Sequence, residues 1–221
     1  MLILASQSPR RRQLLASLDL DFTVAVPDVD ERSQVDESPI AVVERLSQAK
    51  AEAVAAQNPN SIVLAADTVV ALDGEVLGKP ADLAEARRML ERLRGRSHQV
   101  YSAVTATNAK TGERATMVNV SVVWMRDYDD AWIRAYVASG DPLDKAGGYA
   151  IQNQQFTPVA RLKGCYSSVM GLPLGDTVRV LREVGMCVLN LEEVARICQE
   201  IVGSSHWHCC LDSRNIGADF A

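Results

Sequence analysis

Asp67 interrupts an apolar, β-branched run, "SIVLAADTVVAL", at residues 61–72. A carboxylate buried alone in such a run costs several kcal/mol or gives up its charge. Two arrangements avoid that cost. The acid faces solvent at a strand end, or it lies on the floor of a cleft beside a lysine or a metal ion. Three lysines could serve: Lys50, Lys79 in "GKP" and Lys145 in "DKAGGYAIQ". Pro80 restricts the backbone after Lys79, and Gly78 before it permits a close turn. An acidic turn, "DVDERSQVDESP", adds Asp30 and Glu31. It reads either as a solvated loop or as a second carboxylate source. If Glu31 converges with Asp67, the two make a hard oxygen site suited to Mg²⁺.

The second cluster is cationic. Ser8-Pro9 starts a helix, with Ser8 as N-cap and Pro9 at the first helical position. Arg10, Arg11 and Arg12 then crowd the first turn. That helix end carries partial positive charge, so each cation there costs roughly 0.3–1 kcal/mol. Either the guanidinium groups splay into water, or an anion joins them. A phosphate would meet first-turn N–H donors, bidentate arginines and the hydroxyls of Ser6 and Ser8.

Elements that could position these residues follow from periodicity. Strands are expected at Met1–Ala5, at 22–26, at 61–72 (buried on both faces), at 98–108 and at 115–124. Asp73-Gly74 marks a hairpin with a short return strand ending at "GKP". Helices are expected after Ser8, over 39–56, 81–94, 130–139 and 177–183, with Gly95 as a C-cap. "GDPLDKAGGYAIQ" reads as a loop entering a short strand. Strands and helices alternate, which gives an α/β fold class.

The chain has 221 residues, 48% apolar content and a net charge of -5. These values fit one sizeable core, and the acidic balance argues against general nucleic-acid binding. "MLILAS" is too short for a leader's apolar core, and arginines follow it rather than precede it. No stretch has the length of a membrane span. The five cysteines, Cys165, Cys187, Cys198, Cys209 and Cys210, are odd in number and late in the chain, unlike a disulfide framework. A cytoplasmic setting is expected. In "SSHWHCC", His206, His208, Cys209 and Cys210 are metal-ligand types, but adjacent cysteines lack zinc-finger spacing. The stretch reads as an extension of the core, with one more helix over 191–202.

Seven segments in order, "LASQSPRRRQLL", "DVDE", "RLSQAKA", "AADTVV", "GEVLGKP", "YVASGDPLDKAGGYAIQ" and "VMGLPL", resemble the Maf family of nucleotide pyrophosphatases. The resemblance implies a Maf domain over residues 1–186 and an extension over 187–221. It implies an elongated mixed sheet flanked by helices, with two lobes and a central cleft. It further implies a homodimer that hydrolyses nucleoside triphosphates to monophosphate and pyrophosphate with Mg²⁺ or Mn²⁺. Carried over residue by residue, the catalytic group falls on Asp67, with Lys50 and Lys79. Phosphate binding falls on Ser6, Ser8 and Arg11, with Lys145 beside them, and the metal on Asp67 and Glu31. Asp67 is implied as base or as metal ligand. Arg10, Thr68 and Gln152 resemble the dTTP/UTP branch, whereas the 7-methyl-GTP branch tends to carry Trp, Gln and Glu there. Gln152 offers a donor and an acceptor to the O4/N3 edge of uracil or thymine. Asn153-Gln154-Gln155 departs from the family's glycine-rich turn, and Cys165 stands where Ser is more usual. The older description of the family as septum-formation inhibitors leaves a non-catalytic nucleotide-binding regulator as the alternative. A house-cleaning enzyme for modified nucleotides is a third reading.

Overall fold

The β-branched run around Asp67 forms the central strand of the protein. The computed structural model describes residues 1–188 and 190–202; the "SSHWHCC" motif lies outside them. Strand β3 (Ile62–Leu72) pairs in parallel with β1 (Leu2–Ala5), which pairs in parallel with β2 (Phe22–Ala25). On its other side β3 runs antiparallel to β5 (Ser97–Asn108), followed by β6 (Arg114–Met125) and β7 (Val159–Lys163). The short β4 (Glu75–Leu77) closes the expected hairpin on β3. Asp73 (φ 54°) and Gly74 (φ 84°) form its turn, in the left-handed conformation such turns require.

Period-two alternation divides the sheet into two faces. Val63, Ala65 and Val69 of β3 face helix α2 (Pro39–Gln57), whose buried stripe includes Val43, Leu46, Ala51 and Val54. Leu64, Ala66, Val70 and Leu72 face the larger core. That core is covered by α1 (Pro9–Ala16), α3 (Leu83–Leu93), α4 (Asp130–Ala138), α5 (Tyr166–Met170), α6 (Leu174–Glu183) and α7 (Leu191–Val202). β3 is buried along nearly its whole length, as its composition implied.

The site owes its place to a break in the sheet. β1 pairs with β3 only as far as Ala5 opposite Ala65. On the same edge β4 pairs no further than Leu77 opposite Val70. Between them, Ala66–Val69 has no neighbouring strand on that edge. A cleft opens there, so side chains from both faces of the sheet reach one space.

One stretch differs from expectation. "YAIQ" is not a strand. Two 3-10 turns, Asp141–Asp144 and Ala146–Gly148, precede it. Gly147 (φ 70°) and Gly148 (φ 71°) take left-handed backbone that a strand cannot hold. The strand appears later, as β7. The five-residue α5 was not anticipated, and α6 starts at Leu174 rather than Thr177.

His98 on β5 is 4% exposed and its Nε2 lies 2.7 Å from the Tyr149 hydroxyl. Its Nδ1 has no hydrogen-bond partner. Burial pushes its pKa down to about 4. The folded chain therefore holds His98 neutral, while the unfolded chain protonates it below its ordinary value of 6.5. Stability contributed by this group is present above 6.5 and is lost as pH falls toward 4, by up to about 3 kcal/mol. Urea unfolding across that window is expected to show the loss, and His98→Gln to flatten it. Parallel profiles for the two proteins would show that the histidine is not its source.

Candidate active site

The cleft has a volume of about 720 Å³ and is lined by Ser6, Ser8, Arg10, Arg11, Glu31, Lys50, Asp67, Thr68, Lys79, Lys145 and Gln152, among others. Every site residue carried over from the family resemblance thus borders one space; Asp30, paired with Arg32, and Arg12 are not among its lining residues.

Its floor is an ion-pair chain. Lys50 sits on the buried stripe of α2, seven residues after Val43 and four after Leu46, and so points at the sheet. Its Nζ lies 2.6 Å from Asp67 Oδ1 and 2.8 Å from Glu31 Oε1. Lys50 and Asp67 are 5% and 7% exposed. The buried carboxylate therefore has the cationic partner that its position demands. Among the described residues, Oδ2 of Asp67 makes no hydrogen bond. Burial raises the pKa of Glu31, but the Lys50 hydrogen bond and the charges of Lys50, Lys79 and Arg11 outweigh it and hold the group below its ordinary value. Lys79 is exposed and makes no ion pair among the described residues. Its position depends on Gly147 N–H donating to Gly78 O at 3.0 Å, which ties the "GKP" turn to the loop carrying Lys145.

The wall opposite is the N-terminus of α1. Ser8 caps the helix by accepting from Arg11 N at 3.4 Å, and Ser8 N–H donates to Ser6 Oγ at 3.1 Å. The three arginines divide. Arg10 Nη1 donates to Asp144 Oδ2 at 2.8 Å. Arg12 is exposed. Arg11 turns inward: Nε donates to Gly171 O at 2.8 Å and Nη2 to Thr68 Oγ1 at 3.4 Å. Burial lowers its pKa, partly offset by the carboxylate of Asp67. A Cβ at Gly171 would come within 3.4 Å of Arg11 Nε at a φ of 115°, so glycine is needed where this guanidinium passes.

Lys145 borders the cleft with its charge already engaged. Its Nζ lies 2.5 Å from Asp144 Oδ1 and 3.0 Å from Asp141 Oδ1. Asp144 thus joins Arg10 to Lys145, a bridge not evident in the sequence. Asn153 replaces the glycine-rich turn by side-chain bonding: Oδ1 accepts from the N–H groups of Gln155 and Phe156 at 3.1 and 2.9 Å. Its Nδ2 donates to Asp141 Oδ2 at 3.1 Å. Gln152, just before it, borders the cleft with Tyr149 and Ile151. Cys165 is fully buried, with Sγ 3.2 Å from Ser167 Oγ.

A capped helix N-terminus, an inward arginine and a lysine-paired carboxylate thus meet at a gap in the mixed sheet of an α/β protein. Residues 1–184 match the family described as Maf-like protein, and the chain belongs to that family. It is 50% identical over 183 residues to a Salinibacter ruber protein, covering 82% of this chain and 89% of that one. It is 47% identical over 184 residues to a Syntrophus aciditrophicus protein, covering 83% and 90%. A Myxococcus xanthus protein is 47% identical over 186 residues, covering 84% and 93%. All three are named dTTP/UTP pyrophosphatase. Among solved structures, the Staphylococcus aureus Ham1 protein aligns with a TM-score of 0.42 at 19% identity, covering 57% of this chain and 72% of that one. No helix among the described residues is long and apolar enough to cross a membrane.

Proposed function

We propose that this chain hydrolyses pyrimidine nucleoside triphosphates, dTTP and UTP foremost, to the monophosphate and pyrophosphate. The supporting observation is that the α1 N-terminus with Arg11 and the Lys50–Asp67 pair border the same cleft. The names of relatives at 47–50% identity over most of the chain agree with it.

In this reading the Arg10 amide, Ser6, Ser8 and Arg11 hold phosphate oxygens, with the side chains of Arg10, Lys79 and Lys145 at the rim. Phosphoryl transfer is mostly positioning and charge stabilisation, which such a cluster supplies. Asp67 accepts the proton of a water that attacks the α-phosphorus. The bond from that phosphorus to the bridging oxygen breaks, and pyrophosphate leaves. Lys50 holds Oδ1 of Asp67, so Oδ2 is the oxygen available to the water. Thr68 and Gln152, which border the cleft, bear on base selection.

Asp67 and Glu31 fit a hard divalent cation such as Mg²⁺ or Mn²⁺. Lys50 Nζ holds one oxygen of each carboxylate, at 2.6 and 2.8 Å, which brings the two groups together and leaves Asp67 Oδ2 and Glu31 Oε2 as the oxygens that would hold the ion. Among the described residues no group of three or more His, Cys, Asp or Glu could hold an ion. Two carboxylates with substrate phosphates completing the shell is the arrangement Mg²⁺ usually adopts. Such an ion neutralises charge on the phosphate oxygens. The homodimer and cytoplasmic setting implied by the family resemblance belong to the same reading.

A substrate panel tests it. With Mg²⁺, purified protein is expected to turn over dTTP and UTP at least tenfold faster than 7-methyl-GTP. Within the pyrimidines, 5-methyl-UTP and pseudo-UTP are expected to be accepted, because they keep the O4/N3 edge that Gln152 would read. Preference for 7-methyl-GTP would remove the pyrimidine assignment. Nucleotide binding without pyrophosphate release would favour a regulator.

A further inference from the structure

β5 presents Val100, Val104 and Ala106 to the larger core, all at most 1% exposed. Ser102 stands in that row, fully buried. A hydroxyl among such neighbours is costly unless its bonds are made. Its bonds lead toward the cleft. Ser102 Oγ donates to Ser168 O, on α5, at 2.8 Å. A carbonyl can only accept, and a hydroxyl has one proton. The 2.8 Å contact between Ser102 Oγ and Thr68 Oγ1 is therefore donated by Thr68. With its proton so used, Thr68 Oγ1 turns lone-pair density to Arg11 Nη2 at 3.4 Å. The register supports this, since Thr68 and Ser102 are directly opposed across β3 and β5.

From this we infer that Ser102 is a positioning residue for the anion-binding arginine. It fixes the Thr68 hydroxyl as an acceptor and so, with Gly171 O, sets the plane of the Arg11 guanidinium. The α5 segment holds Arg11 twice, directly through O of its C-cap Gly171 and indirectly through Ser168 O, Ser102 and Thr68. Ser102 touches neither substrate nor reacting atoms. The inference rests on the proposed polyphosphate chemistry of the cleft and adds a residue to it from the core side of the sheet.

The test is a double-mutant cycle of Ser102→Ala and Thr68→Val. It is read on kcat/KM for dTTP and, separately, on the Kd of inorganic triphosphate by calorimetry. If Ser102 acts through Thr68, each single variant weakens both quantities by roughly tenfold or more, and the double variant is no worse than the poorer single. A purely structural serine would lower the melting temperature while leaving these values alone, or give losses that multiply; either result overturns the inference. If Ser102→Ala does not fold, Ser102→Cys, close in size and a weak donor, takes its place. A wild-type protein that binds triphosphate without hydrolysing dTTP or UTP defeats the functional reading, and the binding cycle still decides the role of Ser102. If it does not bind triphosphate, Arg11 has no anion to hold and the inference fails.

Discussion

Asp67→Asn is expected to keep the fold and to cut pyrophosphate release from dTTP or UTP by roughly a hundredfold or more, the scale of a lost general base. The substitution preserves shape and an oxygen that can accept from Lys50. Lys50 keeps its 2.8 Å partner Glu31, so no cation is stranded. The melting temperature is therefore expected to stay within a few degrees of wild type. What the amide lacks is the basic lone pair and the negative charge facing the cleft. Turnover within a few-fold of wild type would remove Asp67 from the chemistry.

Lys50→Met should act on both stability and rate. The ammonium is 5% exposed and lies between two carboxylates. Removing it leaves Asp67 buried without its cation, which in comparable buried pairs costs about 3–5 kcal/mol. The cleft admits water, so the low end of that range is expected. The pH dependence has a definite sign. Glu31 is held below its ordinary pKa through Lys50, so the stability this coupling contributes is present above the ordinary glutamate range and is lost as pH falls through the folded-state value. The gap between wild type and Lys50→Met should thus be widest near neutral pH and narrow in acid. Denaturant titrations at several pH values read this directly. Activity is expected to fall on the order of a hundredfold, as when one preorganised electrostatic partner is removed. A gap that widens in acid would mean that the Lys50 coupling does not carry the stability.

What the sequence disclosed about the site is what local rules govern. Ser8-Pro9 is a helix start because capping and a fixed φ act within four residues. Asp67 stands out because a charge inside a β-branched run needs a partner. Lys50 was legible only as one of three lysines open to Asp67; the structure selects it, because its spacing from Val43 and Leu46 puts it on the stripe facing β3. The bridge from Arg10 and Lys145 to Asp144 was hidden for a different reason. Arg10 and Asp144 are 134 residues apart, and an acid in a polar loop carries no periodicity. Ser102 and Gly171 were hidden likewise, since their role depends on the cross-strand register and on where α5 ends. "YAIQ" imitated a strand because Tyr149, Ala150 and Ile151 are buried, yet they are buried by the cleft wall after two left-handed glycines. β7 was obscured as an edge strand that exposes Ala160, Arg161 and Lys163, and α5 is too short to show a helical period.

The sheet gap explains how neighbours on one strand act together. Asp67 and Thr68 point to opposite faces, one toward α2 and Lys50, the other toward Arg11 and Ser102. In an unbroken sheet they would serve separate cores. With β1 ending at Ala5 opposite Ala65 and β4 ending at Leu77 opposite Val70, both reach the cleft. Carboxylate chemistry and anion binding can then bear on a single ligand.

The most direct measurement is the ³¹P spectrum of dTTP incubated with purified protein and Mg²⁺. Pyrophosphate and dTMP appearing together, and absent with Asp67→Asn, is the result expected of a cleft that cuts at the α-phosphorus. Accumulation of dTDP and inorganic phosphate, or an unchanged triphosphate spectrum, would contradict it.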